Sequence, residues 1–361
     1  MILTSIYKSI KKISEFEYWP FGVFYIPLYF YGFYLAFKAR SFMYFSAANP
    51  GMKYGGVMGE SKIKILNKIE KSYLPKTLFF KSSTTYRQII FTIKTKGLAF
   101  PVIIKPNIGE RGKGVEKIED EAALVKYFKE YPVQDLIVQE YVDAPLEIGV
   151  LYYRFPDKKT GNISSVVLKE FLTVNGNGKD TLQRLIAKHP RAKARNAYLK
   201  EKYAASLHIV LAKGEKAYLE PIGNHCRGTK FLNGNHIVNP QLVKVFDKIA
   251  ANIEGYNYGR FDLKVSSLEA LYRGEDIKIL ELNGVSSEPA HIYDPSMKLW
   301  QAYKDLLAHA AIIQQIGVAN HKSGIPYDSL KTFLSDLLKF LFPIKKRNQD
   351  ITKLPRSGVA Q

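Results

Sequence analysis

From about residue 50 onward the chain alternates short apolar runs with amphipathic stretches, and their spacing predicts its elements. Residues 86–96 have helical spacing, with Thr84 or Thr85 as cap and Gly97 as stop. Residues 102–105 read as a buried strand, and 119–131 as a helix with acidic residues in its first turn. Strands are predicted at 136–139, 148–155 and 163–172, with a turn over 157–162. A helix is expected at 241–253 and strands at 259–265 and 277–282. Tyr327, Leu330, Leu334, Leu337, Leu338 and Leu341 share one helical face, which reads first as a packed surface helix and second as a membrane contact.

The first 50 residues follow a different pattern. Residues 18–37 run for 20 positions without a charge, and 11 of them are aromatic. A straight helix of that length would reach ~30 Å, enough to cross the hydrocarbon core of a bilayer. Pro27 would kink it, and Tyr and Trp prefer the membrane interface. Basic residues lie on both sides, at Lys8, Lys11, Lys12, Lys38 and Arg40, so they set no orientation and argue against a cleavable signal. Membrane attachment is the expectation, and an aromatic core element the alternative.

Composition narrows the classes. The 361 residues are 46% hydrophobic and 24% charged, which excludes disorder as the main state. A formal charge of +20 predicts attraction to polyanions, whether nucleotides, nucleic acid or anionic lipid. The one cysteine, Cys226, excludes an internal disulfide and points to a reducing, cytoplasmic-side compartment. A buried small residue is its ordinary role; a catalytic thiol between His225 and Arg227 is the alternative.

Four segments carry candidate chemistry. In the first, a strand delivers Lys105 and a loop with Gly109, Gly112 and Gly114 follows, which suits backbone N–H contacts to phosphate; a plain hairpin is the alternative. In the second, Gln139, Glu140 and Val142 form a connector able to meet an adenine edge, and the Glu147 carboxylate could hold ribose hydroxyls. In the third, Arg260 and Asp262 alternate along one strand and Glu281 and Asn283 along another. Asp262, Glu281 and Asn283 are oxygen donors suited to Mg²⁺, and Arg260 shares their face. In the fourth, Lys169 precedes a turn with Gly176 and Gly178 and a helix start at Asp180. The polar loop 223–230 could hold an acidic substrate or phosphates, or be a solvated loop.

In this order the segments resemble the ATP-grasp superfamily, over residues 62–295. The nearest textures are D-alanine–D-alanine ligase, cyanophycin synthetase and RimK-like carboxylate–amine ligases. The resemblance implies a mixed α/β (α+β) chain with an ATP-grasp fold, two α+β subdomains clasping ATP. An N-terminal aromatic membrane-associating segment takes the place of a full Rossmann-like domain. The implied division is 1–48, the aromatic segment; 49–135, the first ATP-grasp part with the phosphate loop; 136–325, the second part with the metal strands; and 326–361, an amphipathic helix and basic tail.

The resemblance also implies roles. Lys62, 43 positions before Lys105, would begin the nucleotide site, with Lys64 in reserve. Lys105 would touch the α/β-phosphates beneath a lid of Gly109, Glu110, Arg111, Gly112, Lys113 and Gly114. Gln139, Glu140 and Val142 would hold adenine and Glu147 ribose. Asp262, Glu281 and Asn283 would bind two Mg²⁺ ions, with Mn²⁺ as substitute. Arg260, Lys169, Arg227 and His291 would form the catalytic set. The chain departs from D-alanine ligases at Glu110, Arg111 and Ile292, where those enzymes carry serines, so D-alanine specificity is not expected.

The implied reaction joins a carboxylate to an amine through an acyl phosphate and releases ADP and phosphate. The substrate is expected to be membrane-associated, a lipid or an envelope precursor, and the chain peripheral or monotopic on the cytoplasmic face of an anionic membrane. Nucleic acid is not an expected partner. Two rivals remain: an ATP-grasp phosphotransferase acting on a lipid or small molecule, and a non-catalytic basic protein binding membrane or nucleic acid.

Overall fold

The computed structural model describes residues 16–109, 112–131 and 133–342. The expectations for Lys8, Lys11, Lys12, Glu110, Arg111 and the tail beyond residue 342 lie outside them. The aromatic segment is not one helix. It breaks at Tyr25 into a single turn, Phe21–Phe24, and helix α1, Ile26–Ala39. Pro27 stands at the start of α1, where its fixed φ suits a first turn and no carbonyl bond is lost, so it begins the helix rather than kinking it. Arg40, in the left-handed region, ends α1.

The first sheet has the order β1 (Thr77–Phe80), β4 (Leu136–Glu140), β2 (Val102–Pro106), β3 (Glu116–Ile118), antiparallel throughout. Helices α2 (Tyr86–Thr95) and α3 (Glu121–Glu130) cover one face of it. Thr85 caps α2 with a reciprocal Gln88 box, and Asp120 caps α3. Ile89, Ile93 and Leu124 bury fully against Val102, Ile104 and Val138, each worth ~1.5–3 kcal/mol.

The second sheet begins with β5 (Leu146–Tyr153) and β6 (Asn162–Glu170). A small hairpin, β7 (Thr173–Asn175) with β8 (Lys216–Tyr218), encloses three short helices over its own core of Leu182, Ile186 and Leu199. The first of these starts at Leu182, later than expected, because Thr181 is its cap and Asp180 is tied to Asn177 and Lys188. Then come β9 (Lys230–Asn233), helix α4 (Pro240–Ala251), β10 (Tyr258–Val265) and β11 (Lys278–Asn283). The finished sheet is β11-β10-β5-β6-β9, antiparallel throughout. Its two faces differ sharply, as strand alternation requires. Phe261, Leu263, Val265, Ile148 and Val150 face α4 and the main core, while Arg260, Asp262 and Lys264 face the other way.

Two helices end the described residues: α5 (Leu299–Lys322), which the sequence pattern missed, and α6 (Leu330–Leu341), capped by Ser329. Helix α5 packs on α1 and on the turn Tyr44–Ala48. The fold is thus the expected mixed α/β arrangement of two α+β parts, each built on an antiparallel sheet.

Candidate active site

The polar face of the second sheet is where the predicted residues meet. Asp262 and Glu281 are register partners across β10 and β11, as are Arg260 and Asn283, so all four stand on one face. Asp262 accepts from Arg260 Nε at 3.2 Å and from Asn283 Nδ2 at 3.1 Å on one oxygen. Lys169 Nζ lies 2.9 Å from its other oxygen and 2.9 Å from Glu147 Oε1, so one buried ammonium joins two buried carboxylates. Gly149 makes the room. A Cβ there would fall 2.7 Å from Val167 and 3.2 Å from both Arg260 and Asp262.

Glu281 is reached from the first part of the chain. Lys62 Nζ pairs with Glu281 Oε1 at 3.0 Å and donates to the carbonyl of Gly109 at 2.7 Å. Lys105 Nζ donates to Leu280 O at 2.8 Å and to Gln139 Oε1 at 3.0 Å. Lysines from two separate segments therefore converge on one strand.

Burial and charge oppose each other at these groups. Burial alone would raise the Asp262 carboxyl, but Arg260 and Lys169 outweigh it and hold it below the usual range. Burial likewise opposes ionisation of Glu281, and Lys62 and Lys105 reverse the sign. Lys105 is pushed down to about 8, chiefly by burial and in part by Lys62, with Glu281 acting against the shift. Two ionised carboxylates with an amide beside them form an oxygen-donor set that fits Mg²⁺, an ion commonly held by one or two carboxylates plus substrate phosphates and water. Among the described residues no group of three His, Cys, Asp or Glu forms a metal site.

The other predicted residues fall around this face. Gly112 and Gly114 take positive φ, and Tyr127 donates to the Gly114 carbonyl at 2.8 Å. Lys113 is exposed. Arg227 does not join the carboxylates but clasps the glycine loop. Its Nη2 donates to Gly112 O at 3.1 Å and to Val115 O at 2.7 Å, while Nη1 reaches the buried Glu220 at 3.4 Å. His291 is buried, with its ring nitrogens on Ser165 Oγ at 2.8 Å and Asp305 Oδ2 at 2.9 Å, so it ties β6 to α5.

Gln139 points inward, between Lys105 and Thr77. Glu140 is exposed and accepts from the Lys76 amide. The Val142 carbonyl accepts from Lys264 Nζ at 2.9 Å. Glu147 is buried beneath Gly223, where a Cβ would lie 2.1 Å from its oxygen. Cys226 is exposed, contrary to the expected buried residue, because it sits in a single 3₁₀ turn capped by Asn224 at the surface.

Sequence reasoning missed three residues here. Lys264 continues the Arg260, Asp262 alternation and lies 5.1 Å from the Tyr141 ring centre, so the period-two pattern could have found it. Glu288, five residues beyond Asn283, accepts from the Tyr293 hydroxyl at 2.8 Å, and its carbonyl accepts from Arg260 Nη1 at 3.4 Å. Glu17 pairs with Arg191 and, at 2.7 Å, with His225 Nε2, a contact that no local pattern announces.

No family model matches the chain. A 67-residue stretch, 17% of this chain, is 39% identical to the formate-dependent phosphoribosylglycinamide formyltransferase of Sulfolobus acidocaldarius, of which it spans 17%. Among solved structures, the D-alanine–D-alanine ligase of Bacillus anthracis aligns at TM-score 0.41 and 13% identity, covering 73% of this chain and 69% of that one. The VanG D-Ala:D-Ser ligase of Enterococcus faecalis aligns at TM-score 0.39 and 15% identity, covering 69% of this chain and 61% of that one. A carboxyaminoimidazole ribonucleotide synthase aligns at TM-score 0.38 and 9% identity, covering 64% of this chain and 45% of that one. The chain thus spans under a fifth of the curated relative and under two thirds of the D-Ala:D-Ser ligase. These are the proteins to which the chain is similar, each over the share given.

Proposed function

We propose that this chain is an ATP-dependent carboxylate–amine ligase of the ATP-grasp type. The observation that carries this reading is the meeting of Lys62, Lys105 and Lys169 with Asp262 and Glu281 on one sheet face. Such a face has cations for a polyphosphate and ionised oxygens for the accompanying cation. Asp262, Glu281 and Asn283 would hold Mg²⁺, which when bound offsets charge on the phosphates. Lys62 and Lys105 hold the phosphates, with the glycine loop above them. Arg260 faces the transferred phosphate and counters its growing charge.

A substrate carboxylate oxygen attacks the γ-phosphorus and ADP leaves. An amine nitrogen then attacks the acyl carbon, phosphate leaves, and one proton is released. Arg227, by holding Gly112 and Val115, keeps the loop closed so that water does not reach the acyl phosphate. The carboxylate or amine is carried by a membrane-associated molecule, and the chain works from the cytoplasmic face. The aromatic segment supports this part. Among the described residues no helix is long and apolar enough to cross a membrane.

The test is Mg²⁺-dependent ADP release by detergent-purified protein, with pooled amino acids or with a total lipid extract, beside Glu281→Gln. Release that the variant lacks, with an amide product by mass spectrometry, supports the ligase. A stable phosphorylated product formed without an amine makes it a phosphotransferase. Equal release by the variant overturns the site.

A further inference from the structure

Two helices leave apolar faces bare. On α1, Phe30 is 73%, Phe33 62% and Phe37 84% exposed, at the i, i+3, i+7 spacing of one stripe. On α6, Leu334, Leu338 and Leu341 form a second exposed stripe, and no residue of that helix is buried. Single exposed apolar side chains are ordinary; continuous stripes are not.

The stripes belong to one region. Tyr327 and Phe45 pack both under α1, with Leu35 and Ala36, and under α6, with Phe333 and Leu337. Both helices therefore lie on the same part of the body with their outer sides turned away from it. Phe42, itself exposed, touches the Phe33 ring edge-on at 6.2 Å and extends the α1 stripe beyond the helix end.

Charge selects the occupant. From residue 18 to 59 there is no Asp or Glu, while Lys38, Arg40 and Lys53 are present. On α6, Lys331 and Lys339 stand against one acid, Asp336, which pairs with Lys53 at 2.7 Å and Lys339 at 3.4 Å, so the region keeps a positive excess. A second copy of this chain would bring the same positive face to it and be repelled. An anionic lipid surface supplies the opposite sign, and apolar insertion plus basic residues is the pair of signals that stable surface binding needs. Helix α1 has 14 residues, ~21 Å of rise, which is short of the ~30 Å hydrocarbon core, so it lies in the interface rather than across it.

We infer that α1 and α6 together form a monotopic docking face for an anionic lipid bilayer, embedded in its headgroup layer. This goes beyond the ligase reading, because it adds α6 and fixes how the candidate active site stands to the membrane. Tyr25, immediately before α1, has its hydroxyl 3.5 Å from that of Tyr293. Tyr293 donates to Glu288, whose carbonyl accepts from Arg260. The embedded helix therefore begins beside the Arg260 end of the sheet.

The test is flotation of the full chain, after detergent removal, with vesicles of phosphatidylcholine alone or mixed with phosphatidylglycerol, at low and high salt. The variants are Phe30→Ser with Phe33→Ser and Phe37→Ser; Leu334→Ser with Leu338→Ser and Leu341→Ser; and Phe37→Ser alone, which keeps the test valid if a triple change misfolds. The wild type should float with the mixed vesicles, less so at high salt. Each triple variant should lose roughly tenfold or more in bound fraction, and Phe37→Ser a smaller part. A wild type that floats with neither vesicle overturns the inference. So does a dimer that the variants dissociate and that does not float. Equal flotation with both vesicles, unaffected by salt, overturns the anionic preference. Flotation does not read ATP turnover, so a chain that floats but releases no ADP sinks the ligase reading and leaves this one standing.

Discussion

Lys62 bridges Gly109 and Glu281, with its ammonium 2.7 Å from the glycine carbonyl and 3.0 Å from the carboxylate. One side chain so joins the glycine loop to the strand bearing the candidate metal residues. Asp262 and Glu281 on that face have different neighbours, and the consequences of removing them separate accordingly.

Asp262 is buried between Lys169 and Arg260, whereas the Glu281 side chain is one-third exposed. Asp262→Asn leaves two cations with less compensation in a buried place and should cost roughly 3–5 kcal/mol of stability. Glu281→Gln should leave the thermal midpoint within a few degrees of wild type. Both should abolish Mg²⁺-dependent ADP release. Thermal unfolding beside an ADP assay checks this, and an Asp262→Asn midpoint equal to that of Glu281→Gln contradicts it.

Gly149 is tested by a single methyl group. Its Cβ would press on Val167, Arg260 and Asp262 together. Gly149→Ala should therefore cost ~1–3 kcal/mol, as overpacking does, and should lower ADP release by displacing Arg260. Denaturant midpoints and turnover should fall together; a variant with wild-type values in both would mean that the strands shift to accommodate it.

Arg227 is placed to act on the loop rather than on the reacting atoms. Arg227→Ala should raise KM for ATP roughly tenfold, a loss of ~1.4 kcal/mol in loop positioning, with a smaller effect on kcat. Hydrogen exchange at residues 112–116 should speed up in the same variant. A fall in kcat at unchanged KM and unchanged exchange would assign it to the chemical step instead.

Glu288 gives the pH prediction. Burial pushes its carboxyl up to about 7, and the Tyr293 hydrogen bond only partly opposes that. The folded state then holds a proton that the unfolded chain has lost from about pH 4.5, the ordinary value. Its contribution to stability is complete below that pH and declines as the pH rises through 7. The urea midpoint of the wild type should therefore drop between pH 5 and pH 7.5 relative to Glu288→Gln, in which this component is absent. Parallel pH profiles in the two proteins would show that Glu288 titrates normally.

Much of the sheet chemistry could be read from the chain. Arg260 and Asp262, and Glu281 and Asn283, alternate with Phe261 and Leu282, and a period of two leaves little choice about which face they share. Thr85 marked its helix because a cap acts on the three residues after it, whereas Asp120, expected inside the first turn of the helix over 119–131, is itself the cap and the helix begins at Glu121. Helix α5 escaped notice because its buried side includes His309, Gln314 and Asn320, polar residues that blur the apolar stripe. Their partners, Tyr258 for His309 and the Ala47 carbonyl for Asn320, come from far along the chain.

Local periodicity and turn chemistry, both of short range, are what the sequence by itself determined: most strands of the two sheets, the capped helices, and the polar face that gathers the acidic residues. Tertiary structure decided the rest, since most of those relations join residues more than a hundred positions apart. It brought Lys62 and Lys105 to β11, set Arg227 on the glycine loop, and packed α1 and α6 on Tyr327 and Phe45 with their apolar sides outward. An amphipathic stripe states only that one side of a helix avoids water; whether protein or lipid covers it depends on what the folded body leaves open.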